Sequence, residues 1–337
     1  MTVDAIQYGA DADDHHGSVL ERILTLELVR VAERAAVAAP RMRGRGDEKA
    51  ADQAAVDAMR RELNRLPIDG TVVIGEGERD EAPMLYIGEQ VGTGKGPKVD
   101  IALDPLEGTT LCAKDLPNSL AVIAFAEGGG LLNAPDAYME KIAIGPGYAD
   151  GVIDLDADPA ENVRRVAEAK GVAINELGCC ILDRPRHAAL IDKVRATGAT
   201  IRLIGDGDVA GIIHTTDPDE TGIDLYMGIG GAPEGVLAAA ALRCIGGQMQ
   251  ARLVMNSDAQ RERTIKMGVE NPDAIMTHFD MARGDVMFAA AGVTDGNLLQ
   301  GVKFKKSGIM TETVVMRSST RTQRFIRAEH HADAKFI

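Results

Sequence analysis

The order of apolar and polar residues near the start of the chain is typical of amphipathic helices. From Ser18 onward, apolar residues recur every three or four positions, as at Leu24 and Leu28, and predict a helix that ends at Pro40. The same spacing predicts a second helix over residues 50–66. Two helices therefore precede the first predicted strand.

Farther along, the pattern changes to short apolar runs bounded by turn residues, which predict strands. Strands are predicted at residues 71–74, 99–103, 120–125, 140–144, 152–155, 178–182, 200–204, 223–227, 285–291 and 309–317. Further helices are predicted at residues 186–197, 206–214 and 234–245. The alternation of strands and helices predicts an α/β fold (mixed α+β) of layered sheets and helices.

The composition indicates a large hydrophobic core, as in an enzyme, and argues against nucleic-acid binding. Of 337 residues, 45% are apolar but only 3% are aromatic, so the core is expected to consist of closely packed small side chains. The net charge of −14 excludes a typical nucleic-acid-binding protein, which gains affinity from clustered Lys and Arg. A phosphorylated substrate would need bound cations to offset the repulsion.

The cysteines and the N-terminus favour a cytoplasmic protein. The four cysteines lack the spacing of a zinc site and are expected to be buried, reduced thiols. The acidic N-terminus shows no signal peptide, and no apolar run approaches the ~20 residues of a membrane span.

An acidic turn follows one of the apolar strands. The strand delivers Asp104 at its C-terminal end, where α/β proteins place ligands, and Pro105 is expected to end it. Asp104, Glu107 and Thr109 can converge on one point, with the hard oxygen ligands that Mg²⁺ or Mn²⁺ favours. The alternative is a turn in which Asp104 caps a short helix at residues 107–113.

Three further acidic segments have the same two interpretations. Residues 74–81 carry four carboxylates, which form either part of a metal site or a solvated loop. Asp52 lies one turn into the second helix, where it is either a ligand or a surface residue. Glu234 opens a helix after the glycine-rich turn predicted at residues 228–231, as a ligand or as a first-turn acid stabilised by the helix dipole. Together the four segments favour metal binding.

The segments also resemble a known family. The run DPLEGT at residues 104–109 resembles the signature of lithium-sensitive sugar and inositol phosphatases. The whole chain is similar to the class II fructose-1,6-bisphosphatases of bacteria, because it also has IGEGE at 74–78, NAPDAYMEK at 133–141, PRH at 185–187, GDGD at 205–208 and GIGGAPEG at 228–235. The resemblance implies a layered α/β/α/β/α sandwich and the Mg²⁺- or Mn²⁺-dependent hydrolysis of the 1-phosphate of fructose 1,6-bisphosphate.

The resemblance also assigns roles to residues. The implied metal ligands are Asp52, Glu76, Asp104, Glu107 and Glu234. The implied substrate contacts are Glu107, Gly108, Thr109, Tyr138, Arg184, Pro185, Arg186, Asp206, Gly207, Asp208 and Gly231. Thr109 would position the attacking water, and Glu78 or Asp80 would help to deprotonate it. Without the resemblance, Tyr138 is interpreted as a core residue.

Domains and partners are expected to follow from this activity. We predict a flexible tail at residues 1–17, a metal-binding phosphatase half at 18–158 and a sugar-binding half at 159–337 that completes the active site. The expected partner is a small sugar bisphosphate, without nucleic acid or membrane. The chain is also expected to form a homo-oligomer, either a dimer or a tetramer.

Several alternatives stay open. The substrate is alternatively sedoheptulose 1,7-bisphosphate, alone or as a second activity, with inositol monophosphate less favoured. A non-catalytic metal-binding regulator is a different class of function. The run GDGDVA at residues 205–210 fits a dinucleotide-binding pattern, so a dehydrogenase is a third class of function. His187 and His214 lie beside the predicted sugar site and deserve a test.

Overall fold

The computed structural model describes Leu20, residues 22–77 and residues 84–331. The predicted tail at residues 1–17 lies outside the described residues. The α-helices described are α1 (Arg22–Ala38), α2 (Glu48–Leu63), α3 (Thr109–Ala113), α4 (Pro159–Lys170), α5 (Ala188–Ala196), α6 (Asp208–Ile213), α7 (Pro218–Thr221), α8 (Ala232–Ile245), α9 (Asp258–Lys266) and α10 (His278–Met281). The strands are β1 (Asp69–Ile74), β2 (Gln90–Val91), β3 (Lys98–Glu107), β4 (Leu120–Glu127), β5 (Tyr138–Ile144), β6 (Gly178–Leu182), β7 (Thr200–Ile204), β8 (Leu225–Gly231), β9 (Gln248–Val254), β10 (Met276–Thr277), β11 (Val286–Gly292), β12 (Lys303–Lys305), β13 (Gly308–Arg317) and β14 (Thr322–His331).

These strands form two mixed sheets. The first has the order β12-β13-β11-β4-β3-β1-β2, and β14 also pairs with β13. The second has the order β10-β9-β5-β8-β6-β7. The first sheet thus combines strands from both ends of the described chain, whereas the second takes its strands from the middle. The predicted division at residue 158 stays a prediction about domains, and the sheets themselves change between β4 and β5 and between β10 and β11.

Three hydrophobic cores hold five layers together, because the central core extends over both sides of the middle helical layer. Helices α1 and α2 cover one face of the first sheet, around Leu28, Met59 and Phe125. Helices α6 and α8 lie between the two sheets, in a core that includes Tyr226 and Phe288. Helices α4 and α5 cover the far face of the second sheet. The predicted α/β class with α/β/α/β/α layers is confirmed.

Helix α8 owes its central position to its composition. It has no polar face, and residues 238–241 are four fully buried alanines. A helix that is apolar on all sides is stable only when it is enclosed on all sides, and small side chains let both sheets approach its backbone. This enclosed helix carries Glu234 in its first turn.

Two predicted breaks are in fact part of strands. Strand β3 continues through Pro105 to Glu107, and its register against β4 shifts between Asp104 and Glu107. The shift leaves Pro105 out of the hydrogen-bond ladder, so its lack of an N–H costs no hydrogen bond between the strands. The glycine-rich segment predicted as a turn forms the end of β8, up to Gly231.

Other differences concern the polar segments of the chain. The strand predicted at residues 152–155 is wrong, because these residues form turns and irregular structure. Helices α4 and α9 and strands β9 and β14 were not predicted, and all four carry many charged or polar side chains. The four cysteines are free and buried, as expected. None of the helices in the described ranges has both the length and the apolar character needed to cross a bilayer.

Candidate active site

Two parallel strands place the first acidic residues at one edge of the first sheet. Strand β1 pairs in parallel with β3, with Ile74 opposite Ala102, so Glu76 and Asp104 each lie two residues beyond this pair. Glu76 lies just beyond β1, and its N–H donates to the carbonyl of Leu85 at 3.0 Å. Gly75 lies between β1 and Glu76, and there is no room for a side chain at this position, because a Cβ would lie 2.0 Å from the Leu85 oxygen. The close packing of this loop fixes the position of Glu76.

The turn after Asp104 is stabilised by its own side chain. Asp104 Oδ1 accepts a hydrogen bond from the N–H of Leu106 at 3.0 Å. Gly108 has a left-handed backbone (φ 76°) and begins α3 without any side-chain cap. A short helix does follow the turn, as one interpretation of the sequence predicted. However, Asp104 does not cap this helix, so that part of the interpretation is wrong. The Asp104 carboxylate instead holds the turn that carries Glu107.

The remaining acidic residue comes from the helical layer between the sheets. Glu234 lies in the first turn of α8, and its Oε2 is buried without a hydrogen-bond partner. A Cβ on Gly231 would lie 1.9 Å from this oxygen, so only glycine leaves Glu234 its place. From α6, the N–H of Val209 donates to Glu107 Oε1 at 2.9 Å and joins the two halves of the site.

These elements enclose one cavity of about 340 Å³. Its lining includes all five acids predicted as metal ligands, together with three further predicted substrate residues: Asp52, Glu76, Asp104, Glu107, Glu234, Gly108, Thr109 and Asp206. The structure thus brings together carboxylates that lie far apart in the sequence. Glu78 and Asp80, predicted to act as bases, lie outside the described residues.

Burial and mutual repulsion raise the pKa values of these acids. Burial, with the charges of Asp52 and Asp104, raises the pKa of Glu76 to about 9. Burial raises the pKa of Asp104 to about 6 and that of Glu234 to about 7. The pKa of Glu107 is raised well above its ordinary value, by burial and then by Asp104. Such a cluster is costly to ionise unless a positive charge joins it.

The predicted substrate residues outside the segment 107–109 lie at one end of the second sheet. The Arg186 guanidinium donates to the carbonyl of Ile229 from Nε at 3.1 Å and Nη2 at 2.7 Å, and lies 4.8 Å from the centre of the Tyr138 ring. Tyr138 is 48% exposed, so its interpretation as a core residue is wrong. Arg184 donates to the carbonyl of Gly205 and lies 3.9 Å from Asp206. Two arginines therefore flank the acidic cavity.

Comparison with known proteins identifies the family. The model of the glpX-encoded bacterial fructose-1,6-bisphosphatases matches residues 22–330. The chain belongs to this family. It is 47% identical to fructose-1,6-bisphosphatase 1 class 2 of Escherichia coli (strain K12), over 94% of this chain and 97% of that protein. It is also 44% identical to the D-fructose 1,6-bisphosphatase class 2/sedoheptulose 1,7-bisphosphatase of Synechococcus sp. (strain JA-3-3Ab), over 94% of this chain and 98% of that protein.

The histidines beside the site of this fructose-1,6-bisphosphatase family member are structural. The Nδ1–H of His187 donates to the carbonyl of Leu182 at 2.7 Å, and its Nε2 accepts the N–H of Ile229 at 2.8 Å. Both ring nitrogens are thus used by a neutral ring, and burial lowers the His187 pKa. Burial, with the charge of Arg202, lowers the pKa of His214 to about 4.

The structure also argues against a dinucleotide-binding site at residues 205–210. The segment does lie between β7 and α6, with Gly207 in a left-handed conformation (φ 81°). However, α6 is only six residues long, and its Val209 N–H donates to Glu107. A dinucleotide phosphate would compete with that carboxylate for the same amide. The segment therefore belongs to the acidic site.

One polar residue of the site had no role in the sequence interpretation. Lys141 is buried on β5 and forms an ion pair with Asp208. The sequence contained a signal for this role, because the alternation of side chains along β5 places Lys141 on the same face as Met139 and Ala143. A lysine on a face that is otherwise apolar is rarely buried without a partner.

A methyl group on Gly231 is expected to disturb Glu234. In Gly231→Ala the new Cβ would force the carboxylate from its place, and we expect kcat to fall about a hundredfold, with a smaller effect on stability. Steady-state kinetics and thermal melting measure the two effects. In Gly231→Ala/Glu234→Gln the loss should be no larger than in Glu234→Gln alone. Additive losses would mean that Gly231 acts independently of Glu234.

Proposed function

We propose that this chain is a divalent-metal-dependent phosphatase that converts fructose 1,6-bisphosphate to fructose 6-phosphate and phosphate by removing the 1-phosphate. The observation that carries the proposal is the gathering of five carboxylates around one cavity, in a chain of the fructose-1,6-bisphosphatase family. Both relatives named above are fructose-1,6-bisphosphatases, and one is also named a sedoheptulose 1,7-bisphosphatase. We propose the cytoplasm as the place of this activity.

The donor set fits Mg²⁺ or Mn²⁺. Sugar phosphatases of this family generally depend on divalent metal ions. Hydrogen bonds link Asp52 to Glu76 and Asp104 to Glu107, so one carboxyl of each pair must hold a proton. A hard cation would replace these protons and would also satisfy the buried Glu234 Oε2.

Some rearrangement must accompany metal binding. Within the described ranges, no three Asp, Glu, His or Cys side chains converge closely enough to hold a metal ion as they stand. The residues that would hold the ion are Asp52, Glu76, Asp104, Glu107 and Glu234, whose carboxyl groups would turn toward it. When bound, the metal supplies charge stabilisation at the phosphate and a lower pKa for bound water.

The chain's own residues orient the substrate. Thr109, at the first position of α3 and on the cavity wall, would orient the attacking water with its hydroxyl. Glu78 or Asp80 would accept the proton of that water. Arg184 and Arg186 would bind the phosphate that is retained, because a guanidinium pairs well with phosphate oxygens. Asp206 and Asp208 would accept hydrogen bonds from the sugar hydroxyls.

Phosphate release from a panel of esters tests the activity. The panel comprises fructose 1,6-bisphosphate, sedoheptulose 1,7-bisphosphate, fructose 1-phosphate, fructose 6-phosphate and inositol 1-phosphate, each with Mg²⁺ or Mn²⁺. We expect the highest kcat/KM with fructose 1,6-bisphosphate. A higher value with the seven-carbon sugar would replace the proposed substrate, and no release from any ester would refute the phosphatase activity.

Arg186→Gln is expected to weaken substrate binding more than turnover. Loss of the guanidinium should raise the KM for fructose 1,6-bisphosphate about ten- to a hundredfold, with a smaller change in kcat. The matched control is Arg195→Gln on α5, where Arg195 is exposed and lies 3.5 Å from Asp192, outside the site. Equal KM values for the two variants would remove Arg186 from the substrate site.

Self-association into a dimer or tetramer is also part of the proposal. Sedimentation of the purified protein measures it, and a monomer at micromolar concentration would contradict it.

A further inference from the structure

Lys141 is a buried cation beside the acidic cavity. Strand β5 directs its side chain toward the layer between the sheets, where it is fully buried. Its Nζ donates to Asp208 Oδ2 and, at 2.7 Å, to the carbonyl of Gly231. One ammonium thus joins β5, the first residue of α6 and the last residue of β8.

Gly230 leaves the space that this ion pair occupies, and Gly235 leaves space for Met139 beside it. A Cβ on Gly230 would lie 1.9 Å from Asp208 Oδ2 and 3.0 Å from Lys141 Nζ. A Cβ on Gly235 would lie 2.5 Å from Met139 Sδ and 3.5 Å from Lys141 Cδ. The pair is therefore tightly enclosed, and Asp208 has little freedom to turn.

The position of Asp208 makes such a restraint necessary. The next residue, Val209, donates its N–H to Glu107 Oε1 at 2.9 Å. Gly231, whose carbonyl accepts from Lys141, lies directly against the Glu234 carboxylate. An unpaired carboxylate at this place would be a further hard oxygen donor for a divalent cation.

We propose that Lys141 is a positioning residue that holds Asp208 for the sugar and keeps it out of the metal-ligand set. The inference rests on the proposed function, in which Asp208 contacts the sugar and Glu107 and Glu234 hold the metal. The ammonium occupies Oδ2 of Asp208 and leaves Oδ1 for a sugar hydroxyl. It also reduces the net negative charge around the cavity. The cavity then binds the metal without drawing Asp208 away from the substrate.

A double-mutant cycle read by Mn²⁺ titration tests this assignment. Metal-free wild type, Lys141→Met, Asp208→Asn and the double variant are titrated with Mn²⁺ by calorimetry, without substrate. We expect Lys141→Met to bind Mn²⁺ about tenfold more tightly, or to bind one additional equivalent, because a positive charge has gone and Asp208 is released. Asp208→Asn should bind about tenfold more weakly, because the ammonium is then uncompensated. The double variant should return close to the wild-type affinity.

Kinetics supply the second readout. Although it binds metal more tightly, Lys141→Met should show a KM for fructose 1,6-bisphosphate about tenfold higher than wild type, because Asp208 is no longer held for the sugar. A variant that merely loses structure would bind both metal and substrate more weakly. Unchanged or weaker Mn²⁺ binding by Lys141→Met would overturn the proposal. If that variant does not fold, unchanged or tighter Mn²⁺ binding by Asp208→Asn would overturn it.

The chain offers a matched control for the loss of a buried ion pair. Lys170 Nζ donates to Asp224 at 2.5 Å, and Asp224 is almost fully buried, outside the acidic cavity. Lys170→Met should leave Mn²⁺ affinity unchanged, and a gain equal to that of Lys141→Met would also refute the proposal. Failure of wild type to hydrolyse fructose 1,6-bisphosphate would refute the proposed function, whereas the Mn²⁺ cycle still decides the role of Lys141.

Discussion

Removal of divalent cations will abolish phosphate release, and addition of Mg²⁺ or Mn²⁺ will restore it. The five carboxylates of the cavity repel a phosphate ester, and burial, the largest cause, raises the pKa values of Glu76, Asp104, Glu107 and Glu234. Among the described residues that line the cavity, none carries a positive charge that could neutralise the phosphate without the cation. The measurement is phosphate release after dialysis against a chelator, followed by titration with each metal.

The same titration should change the stability of the protein. A ligand that binds only the folded state stabilises it by about 2.7 kcal/mol at a hundred times its Kd, so the melting temperature should rise with metal concentration. Ca²⁺ is a useful comparison, because its larger radius tests whether stabilisation and turnover require the same ion. Full turnover in excess chelator would contradict the metal-dependent mechanism.

Asp104→Asn is expected to lower kcat about a thousandfold or more. The side chain lies at the centre of the carboxylate cluster, between Asp52 and Glu107, and also accepts the Leu106 N–H that shapes the turn. Asparagine keeps the size of the side chain but removes its charge, so the fold should persist while metal affinity and turnover fall. Kinetics at saturating metal, with Mn²⁺ titration of the same protein, measure both effects.

Asp100→Asn is the matched control on the same strand. Asp100 is buried, and its Oδ2 accepts the N–H groups of Gly129 at 2.8 Å and Leu131 at 3.2 Å, outside the cavity. Its replacement should lower stability by about 1–3 kcal/mol and leave kcat unchanged. If Asp104→Asn retained wild-type turnover, Asp104 would not be a metal ligand.

Part of this site could be predicted from the sequence because parallel strands end at the same edge of a sheet. Glu76 and Asp104 each follow an apolar strand, and adjacent pairing of β1 and β3 is enough to bring them together. Asp52 and Glu234 required the resemblance, since an acid in the first turns of a helix is equally well explained by the helix dipole. Family motifs thus identified what local patterns left open.

Contacts between neighbouring layers could not be predicted in this way. The Val209–Glu107 hydrogen bond and the Lys141–Asp208 ion pair join residues 102 and 67 positions apart, and both depend on how the layers stack. Strand β14 was missed because charged residues alternate on its exposed side. Pro105 was misread as a strand end, because its effect on a ladder depends on the register of the neighbouring strand.

The arrangement of the first sheet has a consequence for synthesis on the ribosome. A nascent chain that has emerged as far as Leu237 already contains every described residue that lines the cavity, yet β11 and β13 are still to be made. Until they arrive, the edge of β4 and one side of α8 expose apolar surface that is buried in the finished protein. Contacts this distant in sequence form slowly, and unpaired strand edges promote aggregation. Activity should therefore appear only after the chain is released, and truncation before residue 286 should yield insoluble protein.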